Sequence, residues 1–196
     1  MRRLVVSVLT SLDGYYEGPG TDLSGMPFED AFDTHNLGLL RRADTLVYGG
    51  TWFPDNWNHW TAVAADPSAS DRDREIASIV TSIDAVVISD TLTIADDAPW
   101  AATTRVVGRT DGPAEIERLK QQDGGDLLMF GSATTWNPLW EAGLVDELIV
   151  LVGAALLGDG SKVYDGAPAR LHLVSASVLP ESQLVELRYR PATSDD

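Results

Sequence analysis

The sequence predicts an α/β protein on a mixed, mostly parallel sheet that ends in an antiparallel hairpin. Short aliphatic and β-branched runs alternate with helical patterns as far as residue 150, which implies parallel strands joined through helices on both faces. Two later runs, 171–179 and 183–190, are separated only by Pro180-Glu181-Ser182 and read as a hairpin. At 196 residues the chain can bury one sizeable core but is short for two. One domain over residues 1–190 with a flexible tail over 191–196 is the expectation.

The elements follow in order. Leu4-Val5-Val6-Ser7-Val8-Leu9 suits a buried first strand. Two arginines precede it, as in a leader peptide, but the run breaks at Ser11-Leu12-Asp13-Gly14 without a small-residue cleavage site, so a strand in a cytoplasmic protein is the better reading. Gly14, Gly18, Pro19, Gly20 and Gly25 form a loop that carries the chain out of the sheet. Residues 29–42 look helical, Leu46-Val47-Tyr48 is a strand ending at Gly49-Gly50, and the aromatic stretch Trp52 to Trp60 is partly helical.

Ser70 followed by Asp73 resembles a helix cap, with Ile76, Ile79, Val80 and Ile83 at helical spacing behind it. Ala85-Val86-Val87-Ile88 is a strand, as is Arg105-Val106-Val107. Pro113 opens a helix expected to stop near Gly124-Gly125. Leu127-Leu128-Met129-Phe130, a helix over 133–142 stopped by Gly143, and the strand Leu148–Val152 complete the alternation before the hairpin. Thr193-Ser194-Asp195-Asp196 reads as disordered.

Composition narrows the function classes. Fourteen Lys and Arg against 30 Asp and Glu give a net charge of -16, a surface that repels phosphate backbones and anionic lipid. A small-molecule ligand is expected, with neither nucleic acid nor membrane as partner. The absence of cysteine removes disulfides and thiolate chemistry. His35, His59 and His172 are widely spaced, so no metal site is expected. Ser7, Ser11 and Ser132 lack a nucleophile-elbow setting.

In open α/β sheets, ligands lie beyond the carboxyl ends of the strands, and three such ends carry chemistry. At Phe130-Gly131-Ser132-Ala133-Thr134-Thr135 a strand turns directly into a helix, where free N–H groups and hydroxyls suit a phosphate or pyrophosphate. The same residues are compatible with Ser132 acting only as an N-cap. Ser89-Asp90-Thr91-Leu92 places two hydroxyls at a strand end, fit for a ribose or for a plain turn. Asp13 before Gly14 is either an acid at a substrate or a turn residue. Trp52, Trp57, His59 and Trp60 either wall a planar substrate or pack internally.

The stretches VVSVLTSLDGYYEGPG, ADTLVYGGTW, DAVVISDTL, LLMFGSATTW and LWEAGLVDELIVLVGAALLGDGSKVY, with the final apolar hairpin, occur in an order that covers residues 2–190. The chain resembles the dihydrofolate reductase-like family that shares the C-terminal reductase domain of the bifunctional riboflavin-biosynthesis deaminase/reductase. The resemblance implies a three-layer dihydrofolate reductase-like fold and an NADPH-dependent reductase acting on a pterin-like or ribosylaminopyrimidine-like substrate. Gly131, Ser132, Ala133 and Thr134 would hold the cofactor diphosphate. Gly49, Gly50 and Thr51 would lie at the helix start after the second predicted strand, with Ser89 and Thr91 beside the adenosine. Leu12 and Asp13 would lie near nicotinamide or substrate, with Asp13 as first candidate for the acid. Leu157, Gly158 and Gly160 would line the loop behind the site, with Asp33 and Trp52 further substrate candidates. Glu29 and Asp30 share the region of Asp33, and the motif does not select among the three. A homodimer through the C-terminal strands is expected by the same analogy.

One departure matters. Where the family commonly reads Gly-Arg-x-Thr, this chain reads Tyr48-Gly49-Gly50-Thr51, so the arginine that would clamp a 2′-phosphate is absent. The loss of one charged contact costs about 1.5–3 kcal/mol, which opens NADH as an alternative to NADPH unless Arg105 or Arg109 substitutes. Two rival readings stand beside the reductase. One is an FMN- or nucleotide-binding protein without turnover, and the other a dimer that keeps only the fold.

Overall fold

Apolar strands buried on both sides require helices to return the chain, and the computed structural model, which describes residues 1–192, has that pattern. In chain order the elements are β1 (Leu4–Thr10), β2 (Tyr15–Glu17), α1 (Asp30–Leu40), β3 (Ala43–Gly49), α2 (Phe53–Ala65), α3 (Asp71–Val80), β4 (Asp84–Ile88), β5 (Thr104–Val107), α4 (Gly112–Lys120), β6 (Asp126–Phe130), α5 (Ala133–Glu141), β7 (Glu147–Val152), β8 (Ser161–Lys162), β9 (Leu171–Val178) and β10 (Val185–Pro191). The chain divides into two compact units. The stretch 193–196, read from sequence as disordered, lies outside the described residues. Within the segment expected to be a tail, Pro191 closes β10 and the Ala192 N–H donates to the Arg170 carbonyl.

The first unit holds residues 1–3 and 36–129. Its strands run in the order β5-β4-β3-β6, every pairing parallel. The register sets Gly49 against Ile88 and Ile88 against Val107, so the carboxyl ends of β3, β4 and β5 form one rim. Leu46, Val47, Val86, Val87, Leu127, Leu128 and Met129 are buried along these strands, and Ile76, Ala77, Ile116 and Leu119 are buried on the helices. Phe53, Tyr48, Trp57 and Trp100 meet edge to face, so Trp57 is in packing contacts while Trp52 is 46% exposed.

The expected cap is present: the Asp73 N–H donates to Ser70 Oγ at 3.1 Å. The helix after Pro113 departs from expectation and stops at Lys120, before the paired glycines. Those glycines serve close approach instead, since a Cβ at Gly125 would stand 2.5 Å from the Arg42 carbonyl oxygen.

The second unit holds residues 4–35 and those from Phe130 on. Here β1 pairs with β7 in parallel, and β7, β10 and β9 pair antiparallel in that order, so the predicted hairpin is present. The α5 helix ends as expected, with Gly143 at φ 70° donating its N–H to the Trp140 carbonyl. The glycine-rich loop contains one strand that the sequence reading left out, since β2 pairs antiparallel with β8. Glu17 of β2 is buried and accepts a hydrogen bond from Ser161 Oγ at 2.7 Å.

Candidate cofactor and substrate sites

The junction after β6 is built from two consecutive left-handed residues, Gly131 at φ 64° and Ser132 at φ 57°. Glycine reaches this region freely, while serine is held there against its preference. The Gly131 N–H donates to the Ser7 carbonyl at 2.9 Å, which fixes the junction against β1. Ser132 sits at the N-cap position of α5, but its side chain makes no capping bond to the helix backbone. Its Oγ lies 3.0 Å from Thr135 Oγ1 and 3.5 Å from Thr134 Oγ1. The capping alternative open in the sequence is therefore not realised.

The Ser132 carbonyl takes the N–H groups of Thr135 and Trp136. Among the described residues, the N–H groups of Ser132 and Ala133 meet no acceptor. A Cβ built on Gly131 meets nothing within 4 Å. Open space over a glycine, unclaimed N–H groups and a cluster of hydroxyls at a helix start together fit a phosphate or diphosphate.

The end of β1 lies in the same unit. Thr10 and Val152 are register partners, the Gly153 N–H donates to the Thr10 carbonyl, and the Leu12 N–H donates to the Ala155 carbonyl. Asp13 then gathers the loop after β7. Its carboxylate accepts from Ser11 Oγ at 2.6 Å, from the Gly158 N–H at 2.7 Å and from the Leu157 N–H at 3.1 Å. The Ser11 hydroxyl and these two amides pull its pKa from 3.8 to about 2. Asp13 thus stands as an acceptor that ties the loop after β7 to the end of β1.

Leu12, Asp13, Leu157 and Gly158 therefore form one cluster. Gly160 adjoins it and packs so closely on Glu17 and Gly18 that a Cβ would collide with their backbone. Leu12 is 68% exposed beside this loop. Asp33 stands in the first turn of α1. Glu29, just before that helix, accepts from Ser182 Oγ at 2.6 Å, which ties it to the hairpin turn. In sequence Ser11 figures only as a serine without a nucleophile-elbow setting; here it is buried, and its hydroxyl accepts the Tyr15 N–H while donating to Asp13.

The rim in the first unit carries the remaining candidates. Ser89 Oγ accepts the N–H groups of Thr91 and Leu92 at 3.3 and 3.1 Å, so its hydroxyl organises the turn. Gly50 packs on Ser89 so tightly that any Cβ there would overlap the hydroxyl. Gly49 ends β3, Thr51 is exposed, and Trp52 precedes α2. Of the two arginines weighed as substitutes for the missing clamp, Arg105 pairs with Glu115, which also holds Arg118. Arg109 lies beside Asp90. Among the described residues no group of three or more His, Asp or Glu is arranged to hold a metal. No helix among them is long and apolar enough to cross a membrane.

This α/β architecture is that of dihydrofolate reductase. The chain superposes on dihydrofolate reductase from Enterococcus faecalis, solved in complex with NADP(H), with a TM-score of 0.60 at 12% identity over 97% of both chains. The chain belongs to the RibD C-terminal domain family, which it matches over residues 2–185. It is also similar to Riboflavin Biosynthesis Reductase Rib7 of Saccharomyces cerevisiae, with a TM-score of 0.58 and 20% identity over 97% of this chain and 90% of that one. A further relative is the uncharacterized protein YyaP of Bacillus subtilis (strain 168), 25% identical over 88% of this chain and 85% of its own.

Proposed function

We propose that this protein is a cytoplasmic nicotinamide-dependent reductase that delivers a hydride to a small planar nitrogen heterocycle or imine, pterin-like or ribosylaminopyrimidine-like. The observation that carries the reading is the uncapped left-handed turn at Gly131-Ser132, with the Ser132 and Ala133 N–H groups unclaimed over open space. Family membership and the reductases that share the fold support it.

A bound nicotinamide would supply the hydride. The chain's own contribution is placement. Ser132 and Ala133 would donate their N–H groups to the diphosphate, with the Ser132 and Thr134 hydroxyls beside them. Asp13 holds Leu157 and Gly158 against the end of β1, which fixes the loop that would orient substrate and exclude water. Asp13 acts here as a positioning residue.

Calorimetric titration of ligand-free protein with NADPH, NADH and FMN separately tests the reading, followed by substrate-dependent oxidation of whichever nicotinamide binds. Binding of a reduced nicotinamide with turnover supports it. FMN binding alone would favour the second reading, a flavin- or nucleotide-binding protein without turnover. Gly49, standing where the family commonly has an arginine, favours that rival. A homodimer belongs to the same proposal. It rests on β9, an edge strand whose Leu171, Leu173, Val174 and Val178 are 42 to 64% exposed.

A further inference from the structure

The far end of α5 carries a cavity that the cofactor argument does not use. Trp136 and Trp140 stand one turn apart on the same face of this helix. Trp136 stacks on Tyr164 with centroids 5.7 Å apart and meets Trp140 edge to face at 6.4 Å. With Leu148 and Pro168 the three rings line a cavity of about 260 Å³, wholly within the second unit. From Ala133 to Glu141 the helix rises on the order of 12 Å, so the cavity is separate from the diphosphate junction at its start.

One wall of the cavity is polar. Gly166 lines it, and a Cβ there would stand 2.6 Å from both Glu141 Oε1 and the Tyr164 hydroxyl. The two oxygens therefore converge beside the aromatic rings. The hydroxyl donates to the Ala167 carbonyl at 2.6 Å, which leaves its own oxygen as an acceptor. Glu141 takes a long 3.4 Å bond from the Ala167 N–H and, among the described residues, pairs with no basic side chain. It closes α5, a helix end that favours a cation and that has no basic residue in its last turn.

An aromatic face attracts a cation, a carboxylate does so more directly, and acceptor oxygens select a cation that can donate hydrogen bonds. The net charge of -16 draws cations to the surface as a whole. The volume lies below the roughly 300–1,000 Å³ of sites for drug-sized ligands, so the occupant is compact. We propose that this cavity binds a small primary ammonium ion with an apolar body, its charged head at Glu141 and Tyr164 and its body against Trp140 and Pro168. The site does not depend on the reductase reading.

The test is calorimetric titration of the full chain at neutral pH with phenethylammonium chloride and with 2-phenylethanol, a neutral molecule of the same shape, repeated for Glu141→Gln, Trp140→Leu and Val174→Lys. The wild type should bind the ammonium at least threefold more tightly than the alcohol, the scale of an ion pair open to solvent being about three- to fivefold. Glu141→Gln should remove that preference while affinity for the alcohol stays the same. Trp140→Leu should weaken both ligands, the ammonium more. Equal affinity for the two probes in the wild type, or a preference that survives in Glu141→Gln, would overturn the proposal. So would the absence of binding, or binding that appears only in Val174→Lys, which would make a second copy along β9 the occupant of the cavity.

Discussion

The Asp13 carboxylate accepts the Gly158 N–H at 2.7 Å across 145 residues of sequence, so one side chain closes the loop after β7 onto the end of β1. Every donor to that carboxylate favours its ionised form. The folded pKa of about 2 lies below the ordinary 3.8. Its contribution to stability is therefore present above the ordinary value and is lost as pH falls through the folded one. Amide hydrogen exchange at Leu157 and Gly158 should accelerate as pH is lowered through that window, after correction for intrinsic exchange. In Asp13→Asn the two amides should be less protected already at neutral pH, without the acid transition. Unchanged protection in the variant would show that the loop is held by other contacts.

Much of this arrangement was legible in the sequence, and the reasons divide cleanly. Strand and helix identities followed from runs such as Ala85-Val86-Val87-Ile88 and from the Ser70–Asp73 spacing, because both record local periodicity. The three-residue strand β2 did not follow, because its pairing with β8 joins residues far apart in the chain and leaves no local pattern. The glycines at 124 and 125 look like a helix stop from sequence, whereas the Asp44 side chain at Gly124 and the backbone of residues 42–44 at Gly125 dictate them. The strand-end candidates were found by rule, yet what Asp13 does depends on amides 144 and 145 residues away.

Gly131 should be the most sensitive position for dinucleotide affinity. With φ at 64° and open space above it, Gly131→Val adds bulk and also strains the backbone, a cost of about 1–2 kcal/mol for an L-residue held left-handed. Gly131→Asn separates the two effects, because asparagine tolerates this conformation. A folded Gly131→Asn protein should lose at least tenfold in dinucleotide affinity, roughly the worth of a blocked charged contact, with little change in its urea midpoint. Unaltered affinity would mean that the diphosphate is held elsewhere.

Arg188 joins two acids of the second unit, bonding Glu147 and Glu186 each at 2.7 Å, while His35 Nε2 lies 2.5 Å from Glu186. Burial pushes the Glu186 carboxyl up, but hydrogen bonds from Arg188 and His35 outweigh it and hold the group below its ordinary range. Arg188→Met removes the guanidinium while its largely buried partners stay in place, and should cost about 3 kcal/mol in urea unfolding near neutral pH. With burial then less opposed, the folded pKa of Glu186 rises, and the stability it contributes is lost at a higher pH than in the wild type. Unfolding curves across acidic pH check both the size and the shift.

Gly50 and Ser89 form a steric pair at the rim. A methyl group at position 50 overlaps the Ser89 side chain, so Gly50→Ala should destabilise by about 1–3 kcal/mol, the usual range for overpacking. Ser89→Gly removes the obstructing atoms and also the acceptor for Thr91 and Leu92, so it is costly by itself. The double variant should be more stable than the sum of the two single losses predicts, because the clash exists only when both side chains are present. Strict additivity in thermal unfolding would mean that the turn moves aside freely.

The β9 edge sets the last prediction. Leu171, Leu173, Val174 and Val178 are exposed on an eight-residue edge strand, a surface that natural proteins cover or charge to prevent uncontrolled pairing. Beside it, Trp136, Trp140, Tyr164, Pro168 and Leu171 line a cavity of about 260 Å³, adding apolar surface at the same edge. Trp136 and Tyr164 stack at its wall with centroids 5.7 Å apart. Two copies pairing along β9 would cover both features. Sedimentation should therefore show a dimer for the wild type. Val174→Lys, which places a charge at the middle of the exposed strand without removing a core contact, should shift the chain to monomer while its circular dichroism stays the same. A monomeric wild type, or a dimer indifferent to this substitution, would assign the edge to something other than self-association.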